Sequence, residues 1–575
     1  MMAPVTAASL LVDALRDAGV QYIFANFGSD HPAIIEALAA DRERGRTTPA
    51  VVLCPHEYSA LTAAHGYAAA TGQPQAVFVH TDVGTANLGG AVHNAARSRI
   101  PVFILAGLTP YTLEGELAGS RNTHINHLQD APDQHALVRQ YVKWSYDVRT
   151  GRNLPQIVHR GLQLAASAPA GPVYVTAARE VLAESVPAPE LEPRPWRAIA
   201  RIPAPDAIVD EMAARLAAAR RPVLVTSYLG RRPEAVPKLV EVAERFGLGV
   251  VEPHAEVLSF PRDHELHLGD DAHAAIADAD VVVALETDVP WLLAASRPRP
   301  DAAVYVVNED PLQESIPLWY LSGDRFVRAD GETVLDQLLR RAPADAGAVR
   351  ERATGIAARS AGIRDAWADG VRREVEAGEL TAASVAHVLA TLIDDDTIVV
   401  NEAISEAPAV WKQLPRQRPG TLFSNRGTSL GWSGGGALGI KLADRARTVV
   451  SLVGDGTFFF SAPASTYWIA DRYRLPVLTV VLDNGGWNAT KRNLRLQHGD
   501  GRAVQHDRYW VNLQQSSDFA GIAAAAGGAW GATVEAFDDL APALLEGLRQ
   551  VAELGRPAVV TVRLAAISAQ PVDEL

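Results

Sequence analysis

The sequence predicts an α/β protein of three domains, each built from a parallel sheet with flanking helices. Short apolar runs of strand length alternate with helical patterns along the whole chain, which is typical of parallel sheets covered by helices. The chain has 575 residues, well above the size at which one hydrophobic core stops growing, so about three domains are expected. A Pro- and Glu-rich stretch at 184–196 is typical of a linker, and a long polar helical pattern follows at 345–378. We therefore expect domains at 1–185, 197–345 and 375–567.

The strand candidates are apolar runs bounded by turn residues. In the first domain they lie at 22–27, 50–54, 75–80, 102–107 and 172–177. In the middle domain they lie at 221–228, 247–253, 279–286 and 302–310, and in the last domain at 396–402, 448–456, 476–484 and 557–564. The chain begins with an amphipathic helical pattern that Thr6 can cap and Gly19 can end. The first and last domains share a similar rhythm of strands and helices.

The composition narrows the possible partners. A net charge of −14 disfavours nucleic acid and anionic membranes. The single cysteine, Cys54, excludes an intramolecular disulfide bond and a Cys-based zinc cluster. Because no stretch approaches about 18 uninterrupted apolar residues, we expect no transmembrane span and a cytoplasmic protein.

The strongest local signal lies in the last domain. A Gly-Asp-Gly turn centred on Asp455 follows one apolar strand candidate, and Asp483 and Asn484 end the next one. Because the carboxyl ends of parallel strands meet at one sheet edge, these polar groups are expected to lie together. The Asp455 carboxylate, the Asn484 amide oxygen and the Gly486 carbonyl form an incomplete oxygen set, which suits Mg²⁺ completed by phosphate and water. The glycines and the following helix start favour a closely bound anion.

A second signal is Glu57, which stands just beyond a strand candidate and at the start of a helical pattern. A carboxylate at a helix start is common, because the helix dipole favours it. A glutamate in this position is also suited to proton transfer. The residues by themselves leave both interpretations open.

Together these segments resemble the thiamine-diphosphate-dependent enzymes. The turn at Asp455 with the Asn-ended strand is similar to the family's cofactor fingerprint, although Asp483 stands where the family usually has a first Asn. The stretch VVLCPHEYSALTAAHGYAAATG resembles the region of the family's catalytic glutamate, which implies that Glu57 activates the cofactor. The resemblance implies thiamine diphosphate as cofactor, with Mg²⁺ held by Asp455, Asn484 and the carbonyl of Gly486.

Other cofactor contacts are implied by the same resemblance. The segment SLGWSGGGALGIKLA is similar to the one that bends the cofactor, which implies Leu430 under the bend and the Thr428 carbonyl as an acceptor for the pyrimidine amino group. The stretch VVNEAISEAPAVWKQL implies that the segment from Glu402 to Ser405 lines the diphosphate. Further positions implied to bind the cofactor are Gly454, Gly456, Thr457 and Trp487.

Two stretches resemble the benzoylformate decarboxylase and acetolactate synthase-like branch of the family. NFGSDHPAIIEAL implies that Ser29 contacts the substrate carboxylate, with a phenylalanine in place of the usual proline. HTDVGTANLGGAVHNAARSRIPVFILAG places His80 at a strand end and implies a catalytic histidine. His264 is a further catalytic candidate. His124 and His127 differ in spacing from the paired histidines of pyruvate decarboxylase and are interpreted as loop or interface residues.

The resemblance covers essentially the whole chain in domain order. It implies an N-terminal pyrimidine-binding domain, a Rossmann-like middle domain and a C-terminal diphosphate-binding domain. It also implies a homo-oligomer, at least a dimer and usually a tetramer, in which Glu57 of one subunit meets Asp455 of another. FAD is not expected, because the middle domain has no Gly-x-Gly-x-x-Gly run and ALETDVPWLL replaces the Arg-containing stretch of the flavin-binding synthases.

The implied function is decarboxylation of a small 2-oxo acid, similar to benzoylformate or pyruvate, through an enamine intermediate. Protonation of the enamine releases an aldehyde, whereas attack on a second carbonyl gives a hydroxyketone. An FAD-independent, acetolactate synthase-type carboligase is therefore an alternative. A non-catalytic protein that binds thiamine diphosphate would not need Glu57, and a nucleotide-dependent oxidoreductase would need a dinucleotide fingerprint that the sequence lacks.

Overall fold

A computed structural model of the chain describes residues 5–187, 196–341 and 346–568. Its three parallel sheets, two of six strands and one of five, confirm the expected α/β class. Within these residues, no helix combines the length and the apolar character needed to cross a membrane. The expected linker at 184–196 lies mostly outside the described residues. The expected domain bounds stay predictions.

The N-terminal domain contains eight strands. These are β1 (Val5–Thr6), β2 (Tyr22–Ala25), β3 (Ala50–Leu53), β4 (Gln75–Val79), β5 (Val102–Leu108), β6 (Trp144–Val148), β7 (Val173–Ala178) and β8 (Ser185–Val186). Six of them form a parallel sheet in the order β3-β2-β4-β5-β7-β6. β1 and β8 form a separate antiparallel pair, which ties the two ends of the domain together.

The helices of this domain cover the sheet. They are α1 (Ala7–Asp17), α2 (Pro32–Glu43), α3 (Glu57–Thr71), α4 (Thr81–Asn87), α5 (Gly89–Arg97), α6 (Ile125–Leu128), α7 (Leu154–Ala166) and α8 (Arg179–Ala183). The side chain of Thr6 accepts a hydrogen bond from the N–H of Ser9, so it caps α1 as the sequence predicts. The chain turns just after this helix at Gly19, where φ is +83°.

The middle domain is a five-stranded parallel sheet with helices beside it. Its strands are β9 (Pro222–Val225), β10 (Gly249–Val251), β11 (Val281–Leu285), β12 (Ala303–Asn308) and β13 (Arg325–Arg328). They run in the order β10-β9-β11-β12-β13. Its helices are α9 (Asp206–Ala218), α10 (Ala235–Phe246), α11 (Ala272–Ile276) and α12 (Gly331–Leu339), and α13 (Ala346–Glu376) then leads to the last domain.

The C-terminal domain repeats the strand order of the N-terminal one. Its strands are β14 (Ile398–Glu402), β15 (Leu422–Ser424), β16 (Val449–Gly454), β17 (Leu478–Asp483), β18 (Trp530–Val534) and β19 (Ala558–Arg563). They form a parallel sheet in the order β15-β14-β16-β17-β19-β18. Its helices are α14 (Ala382–Leu392), α15 (Ala407–Gln413), α16 (Trp432–Ala443), α17 (Asp455–Phe460), α18 (Pro463–Arg472), α19 (Asn488–Gln497), α20 (Arg502–Gln505), α21 (Phe519–Gly527) and α22 (Leu540–Ala552).

Helices α3 and α16 pack against each other and join the two outer domains. The contact is close because α16 presents glycines to α3. A Cβ atom on Gly435 would lie 2.1 Å from Thr62 Oγ1, and one on Gly439 would lie 1.9 Å from the carbonyl oxygen of Ala63. Side chains at these positions would therefore force the helices apart. The packing fixes the start of α3, where Glu57 lies, relative to the segment that precedes α16.

Six strands lack counterparts among the strand candidates of the sequence. Two of them are the short antiparallel pair β1 and β8, and the other four, β6, β13, β15 and β18, are edge strands of the parallel sheets. An edge strand has one unpaired side and more solvent contact, so its sequence need not be a continuous apolar run. The strands that the sequence does predict include every strand that is paired on both sides.

Candidate active site

The carboxyl edge of the C-terminal sheet brings together the polar groups that follow neighbouring strands. In the parallel register of β16 and β17, Gly454 lies opposite Leu482, so Asp455 is next to Asp483. On the other side, Glu402 at the end of β14 lies opposite Val453. The residues that follow these strands therefore lie together at one edge of the sheet, as the sequence predicts.

Asp455 is a buried carboxylate with an unsatisfied oxygen. It begins α17, and its Oδ1 accepts a hydrogen bond of 2.8 Å from the N–H of Gly456. Its Oδ2 is buried and has no hydrogen-bond partner among the described residues. Burial raises the pKa of Asp455 well above its usual range, and the neighbouring Asp483 acts in the same direction. An ionised carboxylate in this place needs a cation to offset its desolvation.

Asp483 does not share that need. Its carboxylate pairs with the guanidinium of Arg563 on the neighbouring strand β19. It also accepts a hydrogen bond of 3.0 Å from the N–H of Gly485. Because its charge is already balanced inside the domain, the Asp483 carboxylate does not need a cation.

The turn after β17 is shaped by glycine. Gly486 has φ of +150°, and a Cβ atom there would lie 2.0 Å from the carbonyl oxygen of Val511. Its N–H donates a hydrogen bond of 3.2 Å to Oδ1 of the buried Asn484. Trp487 follows, and its indole lies against Gly456, where a Cβ atom would be 3.0 Å from Nε1. The orphaned Asp455 oxygen, the Asn484 amide and this carbonyl-bearing turn are the oxygen donors that Mg²⁺ prefers.

Glu402 anchors the start of α16. Its carboxylate accepts hydrogen bonds from the N–H groups of Trp432, at 3.2 Å, and Ser433, at 2.7 Å. The side chain of Asn425 donates a third bond of 3.3 Å. Burial raises the pKa of Glu402 to about 7, although these hydrogen bonds oppose the shift. The carboxylate is thus engaged by the first N–H groups of α16.

The loop at 425–431, which carries Thr428 and Leu430, is held by all three domains. The hydroxyl of Tyr58 in the N-terminal domain donates a hydrogen bond of 2.6 Å to the Leu430 carbonyl. Asn94 both donates to the carbonyl and accepts from the N–H of Ser429. Arg426 forms an ion pair with Asp288 of the middle domain. Thr428 itself is exposed and has φ of +62°, a conformation that this anchoring maintains.

The N-terminal sheet presents a second group of polar residues at its own carboxyl edge. Glu57 follows β3, Ser29 follows the neighbouring β2, and His80 follows β4 on the other side of β2. Glu57 is buried as the first residue of α3. Its carboxylate accepts a hydrogen bond of 3.0 Å from the side chain of Asn87, the last residue of α4. Ser29 is exposed.

Two functional candidates in this group were not indicated by the sequence. Asp30 is buried, and its Oδ1 lies 2.6 Å from Nδ1 of His80. Asn87 binds Glu57 from the far end of the helix that His80 precedes, so α4 connects both groups. The position of Asp30 beside Ser29 in the same turn could have marked it as a candidate. Its partner His80, however, lies in another loop of the chain.

The structure does not bring every sequence candidate to these edges. Both ring nitrogens of His264 are engaged within the middle domain: Nδ1 accepts from the N–H of Leu266 at 3.2 Å, and Nε2 lies 3.3 Å from Glu244. Ser405, by contrast, lies at the carboxyl edge of the C-terminal sheet, in the turn that follows β14, and donates to Glu406 at 3.2 Å. His124 and His127, interpreted as loop or interface residues, are both exposed; His124 directly precedes α6, and His127 lies within it.

Comparison with known proteins identifies the family. Three family models of thiamine pyrophosphate enzymes match in chain order: the N-terminal TPP binding domain over 5–137, the central domain over 209–337 and the C-terminal TPP binding domain over 405–562. The chain therefore belongs to the thiamine pyrophosphate enzyme family. Its cofactor is thiamine diphosphate, another name for thiamine pyrophosphate, with Mg²⁺ as the usual metal of the family.

Individual relatives place the chain among the decarboxylases and synthases of this family. It is 28% identical to the benzoylformate decarboxylase of Pseudomonas aeruginosa over 500 residues, which cover 84% of this chain and 87% of the relative. It is 24% identical to an acetolactate synthase of Bacillus subtilis over 581 aligned positions, covering 94% and 90% of the two chains. The structure of a benzoylformate decarboxylase from Polynucleobacter necessarius has a TM-score of 0.78 at 22% identity, covering 99% and 100%, which shows a shared fold.

Proposed function

We propose that this enzyme decarboxylates a small 2-oxo acid and releases the corresponding aldehyde. The observation that carries this proposal is the hydrogen bond between His80 and Asp30, which equips the carboxyl edge of the N-terminal sheet with a fixed proton donor. The similarity to a benzoylformate decarboxylase supports the same reaction. Releasing an aldehyde requires a proton at the carbon that loses CO₂, whereas ligation to a second carbonyl does not.

The cofactor site of the proposal lies at the carboxyl edge of the C-terminal sheet. Asp455, Asn484 and the Gly486 carbonyl hold Mg²⁺, and the orphaned oxygen of Asp455 is the main support for this assignment. The diphosphate lies along the turns after β16 and β17, which are formed by Gly454, Gly456, Thr457 and Trp487. Ser405 borders the same edge, and Glu402 acts on it through the loop at 425–431.

The pyrimidine half of the cofactor is proposed to lie between the C-terminal domain of one copy and the N-terminal domain of another. Leu430 supports the bend, and the Thr428 carbonyl accepts from the pyrimidine amino group. The bound cofactor supplies an electron sink for the carbon–carbon bond that breaks. Glu57 would hold the proton that the pyrimidine ring exchanges, and the hydrogen bond from Asn87 keeps its carboxylate in one orientation.

The substrate is proposed to meet Ser29 and His80. Ser29 donates a hydrogen bond to the substrate carboxylate. The bond between the carboxylate carbon and the keto carbon breaks, CO₂ leaves, and the former keto carbon takes up one proton. His80 Nε2 delivers that proton, and solvent returns one to the imidazole, so one 2-oxo acid anion and one proton give one aldehyde and one CO₂. His264 has no part in this proposal because the middle domain engages its ring.

Carboligation is a second candidate function. The similarity to an acetolactate synthase extends over 94% of this chain, more than the similarity to the decarboxylase, which covers 84%. In this alternative, a second 2-oxo acid or an aldehyde accepts the decarboxylated fragment, and the product is a hydroxyketone. His80 would then orient substrates without donating the proton that ends the reaction.

The active unit is proposed to be a homo-oligomer in which Glu57 of one copy meets Asp455 of another. Two aromatic side chains support an interface beside Asp455. Phe459 and Phe460, on the same short helix α17, are 41% and 54% exposed in the single chain. Exposed aromatic residues next to a functional site are typical of surfaces that a partner covers.

A complementation experiment tests this arrangement. Glu57→Gln and Asp455→Ala are each expected to be inactive as pure proteins. After the two are mixed and allowed to exchange subunits, a two-fold dimer would contain one intact site per hybrid, and activity should return to about a quarter of the wild-type value. If one chain supplies both residues, mixing restores nothing.

Product analysis tests the reaction itself. The enzyme with thiamine diphosphate and Mg²⁺ is incubated with pyruvate or with benzoylformate, and CO₂, aldehyde and hydroxyketone are measured separately. Aldehyde in equal amount to CO₂ is the expected result. Hydroxyketone as the main product selects the carboligase, and no CO₂ from a panel of 2-oxo acids would refute both.

A further inference from the structure

The turn after β2 and the start of α4 meet at a buried carboxylate. Asp30, which is 2% exposed, lies between the ends of two neighbouring strands. Its Oδ1 is 2.6 Å from Nδ1 of His80, and its Oδ2 accepts a hydrogen bond of 3.2 Å from the N–H of Thr81. One carboxylate therefore holds both the imidazole and the backbone that carries it.

The backbone of two glycines packs directly against the Asp30 and His80 side chains. A Cβ atom on Gly107 of β5 would lie 1.6 Å from Asp30 Oδ2, and one on Gly28 would lie 2.1 Å from His80 Nδ1. Both glycines thus make space for the Asp30 and His80 side chains. Thr81 adds a further constraint, because its φ of +35° is rare for a residue with a branched side chain. A strained backbone at this point is evidence that the contact is specific.

The chemistry of the contact determines where the proton of His80 lies. An ionised carboxylate can only accept hydrogen bonds, so Nδ1 of His80 must carry a proton. Nε2 is then the ring nitrogen that remains to exchange a proton with a substrate. In a neutral imidazole without this partner, the proton can occupy either nitrogen. Asp30 thereby selects one tautomer and one ring orientation.

We propose that Asp30 is a positioning residue that keeps His80 oriented and able to act as an acid, so that Nε2 delivers the proton that forms the aldehyde. This inference rests on the proposed function of His80. It adds a residue that touches neither substrate nor cofactor and that acts through the imidazole alone. The arrangement is a carboxylate–imidazole pair, in which the carboxylate stabilises the protonated ring.

The groups around the pair favour an ionised Asp30 and a protonated His80. Burial alone would raise the pKa of Asp30, but its hydrogen bonds with His31 and His80 outweigh burial and hold the pKa well below the usual range. The hydrogen bond to Asp30 raises the pKa of His80, partial burial opposes it, and Gln129 and Asp82 add to the increase. A protonated His80 also attracts the carboxylate of a 2-oxo acid. Nδ1 of His31 lies 2.9 Å from the same Oδ1 of Asp30, so the carboxylate faces two imidazoles.

The test measures the protonation of His80 directly in the cofactor-bound enzyme. Deuterium exchange at the imidazole C2 position depends on ring protonation, and mass spectrometry of peptides resolves it for a single histidine over a pH series. In Asp30→Asn the midpoint for His80 should fall by about 1 to 2 units, because the variant loses an ionic hydrogen bond. The kcat for aldehyde formation should fall by about 10²-fold, with little change in KM.

Two further variants make the result specific. Gly107→Ala keeps every charge but pushes the Asp30 carboxylate away, so it should also lower the His80 midpoint. Asp82→Asn removes one negative charge from α4 without touching the hydrogen bond, and it should lower the midpoint by less than half as much. Each variant is first checked for wild-type binding of thiamine diphosphate, which reports that the fold is intact.

The outcomes separate this inference from the proposed function. A lower His80 midpoint in Asp30→Asn and Gly107→Ala, with a small shift in Asp82→Asn, supports the positioning role. An unchanged midpoint in the first two variants overturns it, even if activity falls, because Asp30 would then be merely structural. If no 2-oxo acid is decarboxylated, the proposed function fails, and the His80 midpoint still decides whether Asp30 sets the protonation of the ring.

Discussion

The N-terminal and C-terminal sheets have the same strand order but carry different chemistry at equivalent strand ends. β4 in the first sheet and β16 in the last occupy the same position, and they are followed by His80 and Asp455. β2 and β14 correspond likewise, and they are associated with Asp30 and Glu402. In the proposed function, the same topology supplies an acid–base group in one domain and a cation ligand in the other, which agrees with the rule that function lies in the site and not in the fold.

The buried carboxylates of the two domains differ in how their charge is balanced. Glu57 accepts from Asn87, and Asp30 accepts from His80 and Thr81, so both are satisfied within the N-terminal domain. Asp455 has an oxygen without a partner in the described part of the chain, and burial raises its pKa. From this difference we expect that the N-terminal half is organised before the cofactor binds, whereas the C-terminal half needs a cation from outside.

The largest expected effect is the loss of cofactor binding when the buried carboxylate of the C-terminal domain is removed. Asp455→Ala should abolish Mg²⁺-dependent binding of thiamine diphosphate, because the cation loses its charged protein ligand. Isothermal titration calorimetry measures the affinity. Asp471→Ala, which removes an exposed aspartate on α18, serves as the control and should bind normally. Unchanged affinity in Asp455→Ala would remove this residue from the metal site.

The next effect separates binding from activation on the N-terminal side. Glu57→Gln should bind the cofactor, because the amide keeps the size of the side chain and part of its hydrogen bonding. Proton exchange at the thiazolium carbon should slow by about 10² to 10⁴-fold, the range typical of a positioned proton-transfer group. Deuterium exchange of the bound cofactor, stopped with acid and measured by NMR, gives the rate. Glu36→Gln on the exposed face of α2 is the matched control, and a wild-type rate in Glu57→Gln would make that residue structural.

The third prediction concerns which half of the site, N-terminal or C-terminal, is stabilised more by the bound cofactor. Thiamine diphosphate with Mg²⁺ at about 100 times the Kd should raise the free energy of unfolding by about 3 kcal/mol. Amide hydrogen exchange should slow most at 454–460 and 483–488, and less at 25–31, where the N-terminal site is already satisfied. Asp455→Ala should lose this protection. Equal protection of both sites would show that the N-terminal half is also organised by the cofactor.

The smallest effect concerns the pH dependence of stability. Burial raises the pKa of Glu402 to about 7 in the folded chain, above the value near 4.3 of an exposed glutamate. The folded state therefore holds this proton more tightly than the unfolded state. Its contribution to stability is present at low pH and is lost as the pH rises through about 7. Between pH 6 and pH 8 this group should cost the cofactor-free protein about 1 kcal/mol.

Glu402→Gln provides the measurement. Denaturant unfolding at the two pH values should show a smaller loss of stability in this variant than in the wild type. Glu553→Gln, an exposed position after α22, should behave like the wild type. The same pH dependence in all three proteins would mean that Glu402 is ionised in the fold throughout.

The sequence determined the class of the fold and predicted which polar groups meet at the carboxyl edge of the C-terminal sheet, and the reason is local. Every strand paired on both sides is predominantly apolar, and Asp455 and Asn484 each follow such a strand directly, so pattern and position could be read together. The edge strands β6, β13, β15 and β18 were not predicted, because a strand with one unpaired side need not be a continuous apolar run.

Only the tertiary structure decided which carboxylates are satisfied. The pairing of Asp30 with His80 joins two loops that meet because β2 and β4 are neighbours in the sheet, although β3 lies between them in the chain. The role of Glu402 as an anchor for α16, and the engagement of His264 by Glu244, are likewise contacts between distant segments. Hydrogen bonds act over about 3 Å in space, and no pattern along the chain encodes which side chains a twisted sheet and its loops bring within that distance.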